Sequence, residues 1–484
     1  MSNCGYNWIL KLMSIKSKSL IKEQFALGIF AFLCNFGVII KIGMLKLTKL
    51  TFYGAVAEVG GNKVLLEDGD TRIFMDFGMS FAIKKQYYSA YLTPKSEKEL
   101  MDLDILPKVK GIYRFDDSEE SVNGIFLSHS HLDHAGHISF LKRSIPVYCG
   151  ETTALILDVI KDTRRTTFES DFSGIQFNTF RTGKKIKIDS LEIEPIHVDH
   201  SVPGAYGFVI HTSSGSIVYT GDFRLHGTKP EMTREFIQKA KESEPKALIT
   251  EGTNLRGAPM SSESEVVEKL RILTEQTDGL IIGSFAWADV DRFRSFYTAA
   301  KESGRYLAVS LRQAYLLDKL SRDPGLEMPD LDDKTLLVFK RYKKRYEKWE
   351  QEILELGQVV EGSDISKIQS KTILVAGLYD FGELVRVAPT SGSCFAYSMS
   401  EPFDEEMEID FEKLSNWLKR YGLPQYHIHT SGHIMPLQLR QTLKEIGGDQ
   451  IFPIHTDTPE LFTRFMNDLD SKFIMVKKGE EYKI

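Results

Sequence analysis

The chain is poor in cysteine, with four in 484 residues (Cys4, Cys34, Cys149 and Cys394) and no CxxC spacing among them. That excludes a disulfide framework and a zinc–thiolate knuckle, and it fits a reducing compartment such as the cytoplasm. Positive charge is not in excess either, since the net charge is −6. The chain is therefore no polycation that coats nucleic acid, and any nucleic acid must be held by a local patch. There is no internal repeat and no long low-complexity segment. With 42% hydrophobic and 26% charged residues, the composition excludes a disordered, collagen-like or coiled-coil chain. Histidine is missing from the first 128 residues, and all twelve lie at or beyond position 129.

What is present divides unevenly along the chain. Five lysines and one acid give residues 1–43 a charge of +4, so residues 44–484 carry −10. Within that first stretch, Phe25–Ile40 is an apolar run preceded by lysines and interrupted by Asn35. It is short for a transmembrane helix. The segment reads as an extension ahead of a fold that starts near Met44; the alternative is a membrane anchor.

From Lys46 to Asp76, short alternating runs broken by glycines predict consecutive strands. Further strands are expected at 124–128, 146–149, 185–188, 191–197, 207–211 and 216–220, with helices near 96–106, 152–161 and 232–243, which makes an α/β unit. Near Ala247 the rhythm changes to strand–helix–strand repeats typical of a doubly wound parallel sheet. The segment 332–357 reads as a charged helix. The tail from residue 405 carries histidines that the first unit needs, so the second unit looks inserted. The expected boundaries are 1–43 (extension), 44–245 (first unit), 246–404 (insertion) and 405–484 (return to the first unit).

The chemistry concentrates after the strand GIFLS, where His129, His131, Asp133 and His134 form an HxHxDH cluster. Two imidazoles at i and i+2 on extended backbone can grip one metal, and the following Asp and His can grip a second. Imidazole with carboxylate suits Zn²⁺, with Mn²⁺ or Fe²⁺ as alternatives. Two neighbouring metals can hold a hydroxide that attacks at neutral pH.

This cluster resembles the signature of the metallo-β-lactamase superfamily, an αββα sandwich. The resemblance implies further ligands in order. The superfamily's early structural Asp matches Asp76 in FMDFG, its third-motif His matches His200 in HVDHSVPGAYG (with His197 as competitor), and its bridging Asp matches Asp222 in VYTGDFRLHG. An α/β insertion followed by Glu251 (LITEGTN), His433 (HIHTSGH) and His455 (IFPIHTD) resembles the β-CASP nucleases. In that family a His at the last motif goes with RNA-processing members. The HTSGH stretch looks like RNase J, although RNase J usually has DSTN where Glu251–Asn254 stand here. Only 29 residues follow His455, which resembles the shorter archaeal form.

By this resemblance His129, His131 and His200 hold one metal, Asp133, His134 and His455 the other, and Asp222 bridges them. His433 contacts the scissile phosphate and serves the leaving oxygen, with Glu251 orienting it, so Asp133, Glu251 and His433 are the catalytic candidates. Ser431 and Gly432 would offer backbone N–H groups to a phosphate, and Ser398 and Ser400 lie where relatives bind a terminal phosphate. The implied cofactors are two divalent metal ions, and the implied partner is RNA, with or without a 5′-monophosphate end, in a chain that can form a homo-oligomer and uses no nucleotide cofactor. Asp199 is either a partner of His200 or a turn cap. His137, His211, His226, His427 and His429 have no ligand role assigned. The run Lys340–Tyr346 mixes bases with rings, as single-strand contacts require, but reads first as a solvated helix face paired with Glu347, Glu350 and Glu352. Two rival functions are a small-molecule metallo-hydrolase of the same superfamily and a non-catalytic RNA-processing subunit.

Overall fold

The computed structural model describes residues 47–89, 91–257, 260–400 and 405–484. The expected extension at 1–43, with its apolar run at 25–40, lies outside the described residues. Among the described residues no helix is long and apolar enough to cross a membrane.

Strands β1 (Thr48–Phe52), β2 (Val64–Asp68), β3 (Thr71–Met75), β4 (Gly124–Phe126), β5 (Val147–Gly150) and β6 (Phe177–Phe180) lie side by side in one sheet. Strands β7 (Ile186–Ile188), β8 (Leu191–His197), β9 (Tyr206–Thr212), β10 (Gly215–Tyr219) and β11 (Ala247–Glu251) form a second. A third is built from β12 (Ile281–Ser284), β13 (Tyr306–Ser310), β14 (Leu336–Phe339), β15 (Val359–Val360), β16 (Thr372–Val375), β17 (Cys394–Tyr397) and β18 (Gln425–His427). The chain then returns to the second sheet with β19 (Gln450–Ile454) and β20 (Lys472–Phe473), and to the first with β21 (Glu481–Lys483).

The first two sheets face each other because their strands are apolar on both sides. Successive strand residues point to opposite faces. Val64 and Leu66 enter the layer between the sheets, where they meet Phe208, Ile217, Ile249 and Phe452. Leu65, between them in sequence, points outward into a separate core with Leu100, Ile125 and Leu157. The outer face of the second sheet is covered by helices Pro230–Glu242, Pro436–Ile446 and Pro459–Phe465, through Phe236, Leu439, Leu443 and Phe462. The result is the expected αββα sandwich. Each fully buried Leu, Ile or Phe in it contributes about 1.5–3 kcal/mol.

The third sheet is parallel throughout. Two expectations change here. The helix Glu405–Tyr421 packs through Leu414 and Leu418 on this sheet, and β18 extends its edge beside β17. The chain therefore leaves the third sheet after His427, later than the boundary expected at 405. The segment 332–357 is not one helix: Leu336–Phe339 is a buried strand, and only Lys348–Leu356 is helical. Four consecutive apolar residues in a charged context mark a strand covered on both faces, which outweighs the helical propensity around it. Lys340–Tyr346 is thus a loop and not a helix face. Lys340, Arg341 and Lys343 nonetheless pair with Glu361, Asp380 and Glu350.

What the fold fixes for the site is the position of the turn after β4. Phe77 and Met79 N–H donate to the carbonyls of His134 and Leu132 at 2.8 Å, pinning that turn from behind. A Cβ at Gly78 would lie 1.6 Å from the Asp133 carbonyl oxygen, whereas one at Gly382 meets nothing within 4 Å. Gly78→Ala is therefore expected to cost about 1–3 kcal/mol or more by overpacking. A lowered denaturation midpoint, with no such change for Gly382→Ala, checks this.

Candidate metal centre

The site forms where strand ends of the two sandwich sheets converge. β10, β11 and β19 are neighbouring parallel strands, so their carboxyl ends lie about 4.8 Å apart along one edge. Asp222 follows β10, Glu251 ends β11, and His455 follows β19. β8 runs in the same sense, two antiparallel pairings away, and delivers His200 three residues past its end. From the opposite sheet, parallel β3 and β4 deliver Asp76 and the Ser128–His134 turn. Asp76 and His455 both have left-handed backbone, φ 57° and 52°. That conformation is costly for residues other than glycine and clusters at functional positions. The His455 N–H holds it by donating to the Ala55 carbonyl at 2.9 Å.

Three groups of side chains are arranged so that their ligand atoms lie within 4.8 Å of one another. His129, His131, His200 and Asp222 form the first. Asp133, His134 and His455 form another, and Asp222, Glu251, His433 and His455 join the two. His131 Nδ1 is 3.0 Å from His129 Nε2 and 3.2 Å from His200 Nε2. Tetrahedral zinc with Zn–N near 2.1 Å sets its nitrogens about 3.4 Å apart, so this spacing suits one ion. In the other group, His455 Nε2 lies 3.1 Å and His134 Nε2 3.9 Å from Asp133 Oδ2. Asp222 Oδ2 is 3.2 Å from His134 Nε2 and 3.7 Å from His129 Nε2, which puts one carboxylate between the two groups. Its Oδ1 is buried with no hydrogen-bond partner. An orphaned buried carboxylate oxygen facing converging imidazoles fits a cation.

The protonation states point the same way. Burial, then mutual repulsion, holds His129 and His200 well below the usual imidazole range, and burial holds His131 at about 4. These are neutral imidazoles, the form that binds metals. Asp133 and Asp222 are held below the usual carboxylate range; burial opposes this, but His134 and His455 outweigh it. His134 rises despite burial because Asp222, Asp76 and Asp133 surround it.

A second layer orients the ligands. Asp76 accepts from Ser128 N–H at 2.7 Å, from His134 Nδ1 at 2.7 Å and from the Tyr219 hydroxyl at 2.6 Å. This fixes the His134 tautomer and turns Nε2 into the site. His200 Nδ1 donates to the Gly432 carbonyl at 2.7 Å, and Thr253 Oγ1 lies 2.6 Å from His455 Nδ1. Asn62 Nδ2 is 2.9 Å from His134 Nε2 while its own Oδ1 is buried without a partner. Ser128, Tyr219 and Thr253 lie within the quoted motif stretches but are given no role there, and Asn62 lies in none of them.

His433 Nδ1 lies 2.9 Å from Glu251 Oε2, and Glu251 Oε1 accepts from Phe223 N–H at 2.8 Å. Burial alone would lower the His433 pKa, but Glu251 and Asp222 raise it to about 9. Of the competing histidines, His197 stacks on Tyr206 and meets Thr182, clear of the ligand groups. Asp199 is neither ligand nor simple cap: it pairs with Arg224 Nε at 3.2 Å and accepts from Lys229 N–H.

One expectation for substrate contacts is corrected. Ser398 is buried, and its hydroxyl is taken up by Arg292 and the Ile428 carbonyl, so it presents nothing to a ligand. Ser400, by contrast, is exposed beyond it. The carbonyls of Ser431 and Gly432 accept from Arg224, His226 and His200, which fixes the backbone of this turn.

The sequence model of the beta-lactamase superfamily domain matches residues 112–266, the stretch that supplies most of these ligands. That stretch is similar to a beta-lactamase superfamily domain. Relatives span most of the chain's length. It is 24% identical to ribonuclease J 2 of Streptococcus pyogenes, over 85% of this chain and 70% of that one. It is 25% identical to ribonuclease J of Sinorhizobium meliloti, over 84% and 68%. The chain is thus similar to ribonuclease J along most of its length. A crystal structure of an Enterococcus faecalis protein of unknown function shares the fold, with TM-score 0.73 and 23% identity over 90% of this chain and all of that one.

Two ligand groups sharing Asp222 lead to a count. Protein stripped with a chelator is expected to take up two zinc equivalents per chain, with its denaturation midpoint rising as they bind. Asp133→Ala with His134→Ala should retain one equivalent, and Asp222→Ala should weaken both. Equilibrium dialysis with metal analysis reads all three.

Proposed function

We propose that the protein is a metal-dependent ribonuclease that hydrolyses RNA phosphodiester bonds, in the manner of an RNase J-like exonuclease or endonuclease of RNA processing or decay. The observation that carries this reading is the Glu251–His433 pair standing 2.9 Å apart beside two ligand groups that share Asp222. A small-molecule metallo-hydrolase needs the ligand groups but neither that pair nor the third sheet.

His129, His131 and His200 would hold one divalent ion, Asp133, His134 and His455 the other, with Asp222 common to both. Zinc suits this donor set, and manganese is the alternative. Such ions activate water for attack and offset negative charge on a phosphoryl group. The chain's own residues do the rest. Glu251, fixed by the Phe223 N–H, accepts the Nδ1 proton of His433 and so keeps that imidazole oriented and charged. Nε2–H of His433 then faces the site as a donor to the phosphate or to the leaving oxygen. The buried free thiols Cys149 and Cys394 suit a reducing cytoplasm.

The test is a 5′-labelled RNA, offered with a monophosphate or a triphosphate end. Wild-type protein with zinc or manganese is expected to cleave it. His433→Ala should lose about 10²–10⁴-fold in kcat while keeping both metals, and Glu251→Gln should lose less. Mononucleotide release marks an exonuclease, and internal fragments mark an endonuclease. Undiminished cleavage by Asp133→Ala with His134→Ala would sink the proposal.

A further inference from the structure

The third sheet has a cationic site that the metal centre does not use. Because all its strands are parallel, their carboxyl ends share one edge, the side on which parallel α/β sheets bind ligands. The strand order is β15-β14-β13-β16-β12-β17-β18. The loop bearing His433 leaves β18. Trp287 leaves β12, two strands along, and Arg312 follows β13, four strands along. At about 4.8 Å per strand, the ends of β12 and β13 stand about 10 and 19 Å from that of β18 along this edge.

The Arg312 guanidinium lies 3.8 Å over the Trp287 ring. Its Nε is buried with no acceptor. Burial and the positive charge of Arg164 both weigh on Arg312, and among the described residues no carboxylate offsets them there, whereas Glu169 acts on Arg164. The two arginines are brought together by the packing of helix Leu311–Leu320 on helix Glu151–Thr163, where the Tyr315 hydroxyl donates to Asp162 at 2.9 Å. Most buried arginines of this chain are paired: Arg224 with Asp199 and Asp291, Arg292 with Glu263. A half-buried guanidinium, held flat on an indole and left without a counter-charge beside a second arginine, lacks an anion. Planar guanidinium groups bind phosphate with two parallel N–H donors.

We propose that Arg312, Arg164 and Trp287 form a subsite for one backbone phosphate of single-stranded RNA, about 10–19 Å along the carboxyl edge from the His433 loop. This rests on the ribonuclease reading. At a stacked rise of 3.4 Å, that distance is about three to six nucleotides. Trp287 holds the guanidinium plane, and Arg164 supplies the second charge. The subsite favours RNA long enough to span both places.

The test compares a 12-nucleotide RNA with a trinucleotide, using the metal-loaded full chain. Arg312→Ala and Arg164→Ala are each expected to lower kcat/KM on the 12-mer about tenfold, mainly through KM. The loss should shrink to less than about twofold on the trinucleotide, which is too short to reach. The slope of log KM against log salt on the 12-mer should fall by about 0.7 per lost contact. Arg312→Lys keeps the charge and should restore the slope, with only part of the KM. Equal losses on both RNAs, or no loss on the 12-mer, overturn the subsite. Wild-type protein that cleaves neither RNA overturns the ribonuclease reading and the subsite with it. Arg164 lies on the surface, so Arg164→Ala keeps the question answerable if Arg312→Ala misfolds.

Discussion

The site depends on a carboxylate that the fold buries and does not satisfy. Asp222 is 2% exposed and has one oxygen without a donor. Burying an ion costs several kcal/mol unless charge and hydrogen bonds offset it. The chain cannot relieve that cost by letting the carboxylate out. Gly221, just before it, has φ 55°, and a Cβ there would stand 2.9 Å from Ser128 Cβ. The end of β10 is therefore pressed against the turn after β4. The same contact that traps Asp222 brings it to His129 and His134. Compensation has to come from the ligands and whatever cation they hold.

That contact also explains why the ligands come from so many places in the chain. Asp76, His129, His131, Asp133, His134, His200, Asp222 and His455 are spread over nearly four hundred residues, yet each sits on or just past a strand end. Two sheets packed face to face bring two rows of strand ends together at one rim. Side chains there need no long loops to meet, and rigid strands place them more precisely than loops do. The left-handed backbone at Asp76 and His455 is the local cost of turning a side chain back over that rim.

Most of this was legible in the sequence because ligand chemistry repeats at fixed offsets from apolar strands. The HxHxDH cluster is read from residue type and position, while Asp76, His200, Asp222, Glu251, His433 and His455 are read from their resemblance to the family's motifs; the structure brings them to one place. The supporting shell was not legible. Asn62, Tyr219 and Thr253 are single polar residues in ordinary contexts, and only folding shows that they face His134, Asp76 and His455. Ser398 failed in the opposite way. The family resemblance placed it where relatives bind a terminal phosphate, but Arg292, remote in sequence, claims its hydroxyl. The strand Leu336–Phe339 was hidden by charged neighbours, and the place where the chain leaves the third sheet was hidden because β18 carries the same histidine-rich run as the site.

The buried arginines show how tightly the inserted sheet is tied to the metal centre. Arg224 holds Asp199, next to His200, together with Asp291 and the Ser431 carbonyl. Arg292 holds Glu263, Ser398 and the Thr430 carbonyl, and meets His429. The segment 428–433 is thus gripped from both units, and Gly432 passes the constraint on to His200 by accepting its Nδ1–H. Removing one partner of such a buried pair leaves an uncompensated charge that costs about 3–5 kcal/mol. The segment consequently has one position and not a range of them. A hinged lid would need the reverse, a few weakly held contacts that open cheaply. The inserted sheet is a fixed wall of the site, and a phosphodiester must be brought to a geometry that already exists. Such a wall turns binding along its edge into orientation at the metal centre, because misplacement of the reacting groups by about 1 Å costs on the order of a hundredfold in rate.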